Sequence, residues 1–323
     1  ITIGGVPYKF GKDEAFTYQA GKMSNFAIRV DKKGLEGQYA LTLISESITA
    51  WENDLVSHDA TAKEYVVINS TAGHLKEAIE AAGKDYTKLK NLKITGQINS
   101  IDFLMMRDSM PSLTALNLKE VRIKAGYADK VDPGYEPVYG EDDEIPNWAF
   151  GFKTGLNYFV FPDTLKRIKA YAFASTGLAG SLIIPEGVEE IEFGAFGDCK
   201  GLTGSLSLPS TLKRITGQNV FLYDQFTCEL VLPEGLEEIG SQAFMGCTGF
   251  YGSLRLPENL KYIGSGAFKE CQNLSGDLEI PQTIEKIYEG TFSGCSFGGN
   301  LKLHDGIVSI GAGAFSNCFF KGE

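Results

Sequence analysis

Residues 254–271 read Leu-Arg-Leu-Pro-Glu-Asn-Leu-Lys-Tyr-Ile-Gly-Ser-Gly-Ala-Phe-Lys-Glu-Cys, and they decide the fold because the same pattern recurs along the chain. The proline, Pro257, has counterparts at Pro162, Pro185, Pro209, Pro233 and Pro281, with His304 in the next slot, a period of 23–24 residues. Eleven residues after the proline comes Phe268, matched by Phe173, Phe196, Phe244, Phe292 and Phe315, while Phe221 comes one residue late. Such a period marks a solenoid, whose units are too small to bury their own apolar faces and must stack. A solenoid builds a long surface and rarely a deep catalytic pocket.

The slots around each proline sort by chemistry. The residues three and one before it are apolar, from Phe159/Phe161 and Leu182/Ile184 to Leu278/Ile280 and Leu301/Leu303. That alternation predicts a short strand with one face buried, ended by a proline that cannot donate the next ladder hydrogen bond. Three and six residues after the proline, pairs such as Leu165/Ile168, Leu260/Ile263 and Ile307/Ile310 supply the opposite wall of the coil. The phenylalanine fills the space between the walls, and a turn with Gly180, Gly204, Gly252 or Gly276 leads into the next strand.

Between the second pair of aliphatics, Lys166-Arg167, Glu189-Glu190, Lys213-Arg214 and Glu237-Glu238 alternate in sign, so stacking sets opposite charges against each other. Five of the six cysteines (Cys199, Cys247, Cys271, Cys295 and Cys318) share the slot three after the phenylalanine, with Thr176 and Asp224 in two other units. Residues stacked in one slot point the same way, which suits a ladder of buried reduced thiols better than disulfides.

The net charge is −11 and the pI near 4.9, which argue against nucleic-acid or anionic-membrane partners, since both need clustered Lys and Arg. No run of eighteen apolar residues is present, so no transmembrane segment is read in this chain. Ile1 has neither an initiator Met nor a signal-peptide pattern after it, and the chain reads as part of something longer. The histidines His58, His74 and His304 lie far apart in sequence, and no Walker, HExxH or CxxC motif occurs. Neither a catalytic constellation, a metal site nor a cofactor is expected.

The unit quoted above resembles the BspA-like branch of bacterial leucine-rich repeats, over roughly residues 145–320. The resemblance implies a leucine-rich-repeat solenoid, a right-handed coil with a parallel β-sheet on one side and short turns or 3-10 segments on the other. It also implies an exported, extracellular cell-surface protein, its anchor upstream of Ile1, that binds host, neighbouring-cell or extracellular-matrix proteins. Leu92–Ile94 and Leu116–Leu118 resemble irregular first strands of the array, and Ile145-Pro-Asn-Trp-Ala-Phe150 the second half of a repeat. Residues 16–23, 26–35 and 47–51 resemble the closing strands of a fimbrillin-like β-sandwich. The expected organisation is therefore a β-rich segment at 1–70, an irregular cap at 71–144 with an insertion at 119–144, and the solenoid at 145–323. Residues 74–82, with Leu75 and Ile79 one turn apart, predict a short helix that shields one end of the coil.

Two surfaces are candidates for recognition. One is the outward face of the strand before each proline, with an apolar end at Tyr158, Val160 and Ile183 and a charged end at Arg255, Asp277, Glu279 and Lys302. The other is the insertion, where Tyr127, Tyr135 and Tyr139 lie among acids. For the strand face a merely solvated surface is an equal reading, and for the insertion a mobile solvated loop is the favoured one. The function favoured is a non-enzymatic adhesion or protein-binding module. The alternatives are a structural or accessory subunit of a fimbria-like assembly and, more remotely, a hydrolase without a recognised motif.

Overall fold

The computed structural model describes residues 64–129 and 137–321, together with the backbone of four strands nearer the N-terminus. Those four form two antiparallel pairs, Thr2–Ile3 with Val6–Pro7 and Lys22–Lys32 with Tyr39–Ala50, within a compact unit that ends at Leu55. The fimbrillin-like resemblance at 16–23, 26–35 and 47–51 falls partly on the second of these pairs and partly on residues outside those described.

From Val56 onward the chain forms a second unit. Strand Val66–Ser70, placed by sequence in the N-terminal segment, pairs in parallel with Asn91–Ile98 and so sits with this unit. Asn91–Ile98 pairs in turn with Ala115–Asn117, and that strand with Tyr158–Val160. Helix α1 (Leu75–Ala81) buries Leu75 and Ile79 on the expected side. A second helix, α2 (Ser100–Asp108), has no counterpart in the sequence reading, although its start is signalled by Asn99 and Asp102. The Asn99 side chain accepts from the Ile101 N–H, and the Asp102 carboxylate accepts from the Asn99, Gly73 and Leu75 N–H groups. One buried acid thus ties both helix starts together.

After each proline from Pro162 to Pro257 the chain adds a strand to a six-stranded parallel sheet running from Glu144–Ile145 to Tyr262–Ile263. The strands after Pro281 and His304, Lys286–Ile287 and Ser309–Ile310, pair with each other. Register sets like slot on like slot, so Ile168, Ile191, Ile215, Ile239 and Ile263 form one inward column. The outward neighbours meet as Arg167, Glu190, Arg214 and Glu238. Lys213 reaches Glu189 at 2.8 Å, Arg214 reaches Glu190 at 2.8 Å and Lys261 reaches Glu237 at 2.7 Å, each across one coil boundary. Lys213 and Lys261 hold the Glu189 and Glu237 carboxyls below their usual range through these hydrogen bonds. Exposed pairs of this kind add little to stability. Their larger effect is on register, because a one-residue slip would turn the isoleucine column out to water.

The strand before each proline was expected to form the main ladder, and here the structure corrects the reading. Leu182–Ile183 pairs with Leu206–Ser207, and Leu278–Glu279 with Leu301–Lys302, but the ladder between these pieces is broken. In the middle coils the pairing has moved upstream into the glycine turn, as Gly252–Ser253 with Leu274–Ser275 and as a bridge from Glu229 to Tyr251. Under that turn the rings of Phe226 and Phe250 stack at 5.7 Å.

The phenylalanine turn carries the most regular hydrogen bonding in the unit. In every coil from Phe150 to Phe292, the N–H groups of the phenylalanine and of the residues two before and two after donate to carbonyls of the following coil. Phe173, for example, donates to Ala195, Tyr171 to Phe193 and Ser175 to Gly197. The residues between them donate back three positions within their own coil, as Ala174 does to Tyr171 and Thr176 to Phe173. This alternation requires left-handed backbone at the two flanking positions. They have positive φ in every coil, at Trp148 and Phe152, Tyr171 and Ser175, Gly194 and Asp198, through to Gly313 and Asn317. The phenyl rings then stack face to face from Phe173 through Phe196, Phe221, Phe244, Phe268 and Phe292 to Phe315, at 5.2–5.6 Å. Phe221, one residue late in sequence, keeps its place because a bulge between Ile215 and Gln218 absorbs the extra residue.

The last coil departs from its sequence slots. Leu303 and Ile310, read as core, are 44% and 50% exposed, and Val308 and Phe319 are 72% and 70% exposed. Among the described residues no further coil covers them, whereas the same slots are buried inside the array.

At Gly246, φ is +73°, and a Cβ there would run into the ring of Tyr223 from the preceding coil. Gly246→Ala is therefore expected to lower stability by about 1–3 kcal/mol, from left-handed strain plus overpacking. A shift of the urea midpoint measures this loss, and an unchanged midpoint would contradict the left-handed turn.

Candidate functional site

The breaks in the pre-proline ladder open a distinct surface on the unit. In paired coils, the N–H groups of Leu182, Ile184, Leu278 and Ile280 donate to the next coil. In the same slots, the N–H groups of Leu232 and Leu256 have no backbone acceptor among the described residues. Two grooves lie over these gaps, of about 220 Å³ and about 280 Å³. The first is lined by Glu229, Val231, Glu234, Ser253 and Arg255, the second by Arg255, Glu258, Asp277, Glu279, Gln282 and Lys302. Arg255 belongs to both and stands between them.

The four charged residues singled out by sequence are thus brought together around one groove. Arg255 reaches back to Glu234 at 3.0 Å with its side chain 78% exposed. Lys302 pairs with Glu279 at 3.0 Å, its register partner on the adjoining strand. Asp277 accepts the Asn300 N–H at 2.6 Å, which anchors the far wall. Glu229, Glu234 and Glu258, which sequence reasoning did not select, make the lining more acidic than basic. Glu234 and Glu258 directly follow Pro233 and Pro257, and that repeated proline–acid step was the available signal.

Tyr158, Val160 and Ile183 are half-buried in paired strands and do not form an open patch. The exposed apolar residue of this column is Val231, at the rim of the first groove. Charged and apolar residues therefore meet in the middle of the array, and the three apolar candidates stand apart from it.

The insertion forms a hairpin, Gly126–Ala128 antiparallel to Val138–Gly140. Ala128 and Val138 turn inward, while Tyr127 and Tyr139 sit opposite each other, both exposed. Asn147 holds the second strand by accepting the Tyr139 N–H at 2.7 Å. Tyr135 lies outside the described residues.

The cysteine column is structural in its contacts. All six thiols are free, and each of the five in the shared slot donates to a phenylalanine carbonyl of the preceding coil, from Cys199 to Phe173 at 3.0 Å to Cys318 to Phe292 at 3.2 Å. Burial pushes the Cys199 thiol up to about 12, with Asp224 adding to the shift. Asp224 takes the cysteine slot one coil on and is fully buried. Its Oδ1 accepts the Cys199 N–H at 2.9 Å, its Oδ2 has no partner, and burial raises its carboxyl well above the usual range. Among the described residues no group of three or more His, Cys, Asp or Glu could hold a metal ion, and no helix is long and apolar enough to cross a membrane.

The stacked parallel coils, with their Leu-x-Leu-Pro strands and phenylalanine spine, define a leucine-rich-repeat solenoid. Residues 143–274 and 215–321 match the BspA type Leucine rich repeat region, in six copies, and the chain belongs to that family. Among solved structures it is similar to a leucine-rich-repeat protein of T. pallidum, with 26% identity over 60% of this chain and 86% of that one, at a TM-score of 0.44. A leucine rich cell surface protein from Faecalibacterium prausnitzii is 20% identical over 81% of this chain and 65% of that one, at 0.43. A leucine-rich-repeat protein from Bacteroides ovatus is 17% identical over 90% of this chain and 91% of that one, at 0.37. No curated protein matches.

Asp224 carries a pH-dependent cost with a definite sign. Its carboxyl binds a proton more tightly in the folded chain than in the unfolded one, so its contribution is intact below about pH 4 and is lost as pH rises toward the raised value. Asp224→Asn keeps the Oδ1 acceptor and removes that titration. The variant is expected to gain stability over the parent between pH 4 and pH 8, with the gap closing at pH 3. Urea denaturation of both proteins across this range measures it, and parallel pH profiles would contradict a neutral buried acid.

Proposed function

We propose that this chain is a non-enzymatic adhesion-type module displayed at the cell surface, which binds a protein partner through the paired grooves around Arg255. The observation that carries this reading is the coincidence of three features at one place. The strand ladder opens there, backbone N–H groups are left free for a partner, and side chains of both signs line the opening. Protein binding is the general property of leucine-rich-repeat surfaces, and the concentration of acids favours a partner segment rich in Lys or Arg. In this reading the partner is a host, neighbouring-cell or extracellular-matrix protein. Val231 supplies the apolar contact at the rim. The hairpin tyrosines Tyr127 and Tyr139 are a separate contact surface, of the amphipathic kind enriched at interfaces.

The test is binding to an immobilised panel of extracellular-matrix and cell-surface proteins, with the parent chain and two groups of variants. Glu229→Gln, Asp277→Asn and Glu279→Gln together are expected to weaken binding by about 10–100-fold and to flatten its salt dependence, as for loss of charge pairs of about 1–3 kcal/mol in total. Deletion of 126–144 reports on the hairpin. Binding that survives both changes, or no binding to any member of the panel, would sink this reading.

A further inference from the structure

Among the described residues, the strands that follow successive prolines are hydrogen-bonded at every boundary but the one between the Pro257 and Pro281 coils. On its N-terminal side, Lys261 donates to the Glu237 carbonyl and Gly264 to that of Ile239. On its C-terminal side, Val308 donates to Glu285 and Gly311 to Ile287. At the boundary itself, the equivalent N–H groups of Glu285 and Tyr288 have no acceptor among the described residues. The unpaired Leu256 N–H and the larger groove lie at this same boundary. The stretch from 256 to 263 therefore meets 280 to 288 without backbone pairing. Buried Leu260, Ile263, Ile284 and Ile287 hold it together, with the Thr283 hydroxyl donating across it to the Glu258 and Leu260 carbonyls. Tyr288 sets the boundary apart. Seven residues after the proline, where Pro281 leads to Tyr288, the neighbouring coils hold Gly264 and Gly311. A Cβ on those glycines would run into the backbone nitrogens of Ser241 and Glu289 in the coils before them. Lys169 and Glu192 fill the slot in earlier paired coils, but their flexible side chains join each other at 2.7 Å. Tyr288 faces glycine slots on both sides, and its rigid ring leans on Tyr262 at 5.3 Å.

We propose that this boundary is a joint, spaced by Tyr288, whose rocking sets the width of the larger groove. The coils on either side stay bonded at two turns, which act as the hinge line. Gly252–Ser253 pairs with Leu274–Ser275 at one, and Gly266, Phe268 and Glu270 donate to Glu289, Thr291 and Ser293 at the other. The unpaired stretch between those turns is the side that opens, as hinge motion needs a few residues free of structural bonds. The groove follows the motion because its walls belong to different coils, with Arg255 and Glu258 on one and Asp277, Glu279 and Gln282 on the other. Lys302 moves with the second wall through its pair with Glu279. A partner segment enters by spreading the walls, and a closed joint narrows the entrance. Only this effect on binding rests on the groove reading above.

Amide hydrogen exchange of the whole chain tests the joint without a partner. The amides of Gly266, Phe268 and Glu270 cross it, and those of Gln242, Phe244 and Gly246 cross the preceding boundary, where the strands after the prolines pair. After correction for sequence, the first set is expected to exchange about tenfold or more faster than the second. Equal protection of the two sets in the parent would overturn the joint. Tyr288→Gly restores the residue type of the neighbouring coils, and is expected to protect the Glu285 amide and to bring the two sets within about threefold of each other. A Glu285 amide that stays unprotected in this variant would overturn the role of Tyr288. Against a panel protein that binds the parent, Tyr288→Gly, which lies outside the groove lining, is expected to bind about threefold or more weakly. Equal affinity would overturn the coupling between joint and groove. The exchange results do not depend on any partner, so failure of the groove reading and failure of the joint are told apart.

Discussion

Every coil must pass its backbone through a sharp turn beside a stack of phenylalanine rings while leaving no N–H group buried and unpaired. The chain meets this by alternating the direction of its donors, one into its own coil and the next into the following coil. The alternation needs a left-handed residue on each side of the phenylalanine, and those residues bring the rings into face-to-face contact. Left-handed backbone costs about 1–2 kcal/mol at a residue with a side chain. Trp148, Phe152, Tyr171 and Tyr223 all occupy such positions. The cost is offset by the inter-coil hydrogen bonds and, at Trp148, by stacking on Tyr171 at 4.3 Å and on Phe152 at 5.7 Å. The parallel sheet, the thiol column and the ionic pairs all take their spacing from this turn.

What the sequence made legible was whatever a slot fills with one kind of residue. The isoleucine column, the phenylalanine spine, the cysteine slot and the sign-alternating charges all repeat their chemistry, and all sit where their repetition placed them. The left-handed pair was illegible because its slots hold Trp, Tyr, Gly, Asn and Gln without distinction, and backbone handedness leaves no common side chain behind. The ladder breaks were illegible for the opposite reason. Residues 254–257 and 278–281 present the same apolar-x-apolar-Pro pattern, yet only the second pairs with the coil that follows. Pairing there depends on neighbouring turns, which no single unit records. Helix α2 was not legible from the repeat, because it lies where the repeated slots are absent, although Asn99 and Asp102 mark its start.

The candidate site follows the same division. Arg255, Asp277, Glu279 and Lys302 stood out as charges in a column otherwise rich in serine, and the fold does gather them. The groove that gathers them exists only because the ladder opens there, so Glu234 and Glu258 gained significance from tertiary structure alone. Tyr158, Val160 and Ile183 lost theirs for the converse reason, since pairing with neighbouring strands half-buries them.

The bulge before Phe221 carries a consequence for how such arrays vary. An inserted residue between Ile215 and Gln218 is looped out within its own coil, and the spine regains its phase before the next strand begins. Errors in unit length therefore do not accumulate along the chain. Together with phenylalanine-turn donors and acceptors that recur at each boundary from Phe150 to Phe292, this makes coil number a free variable. Units can be duplicated or lost by recombination inside the array while both termini, and whatever they engage, stay as they were.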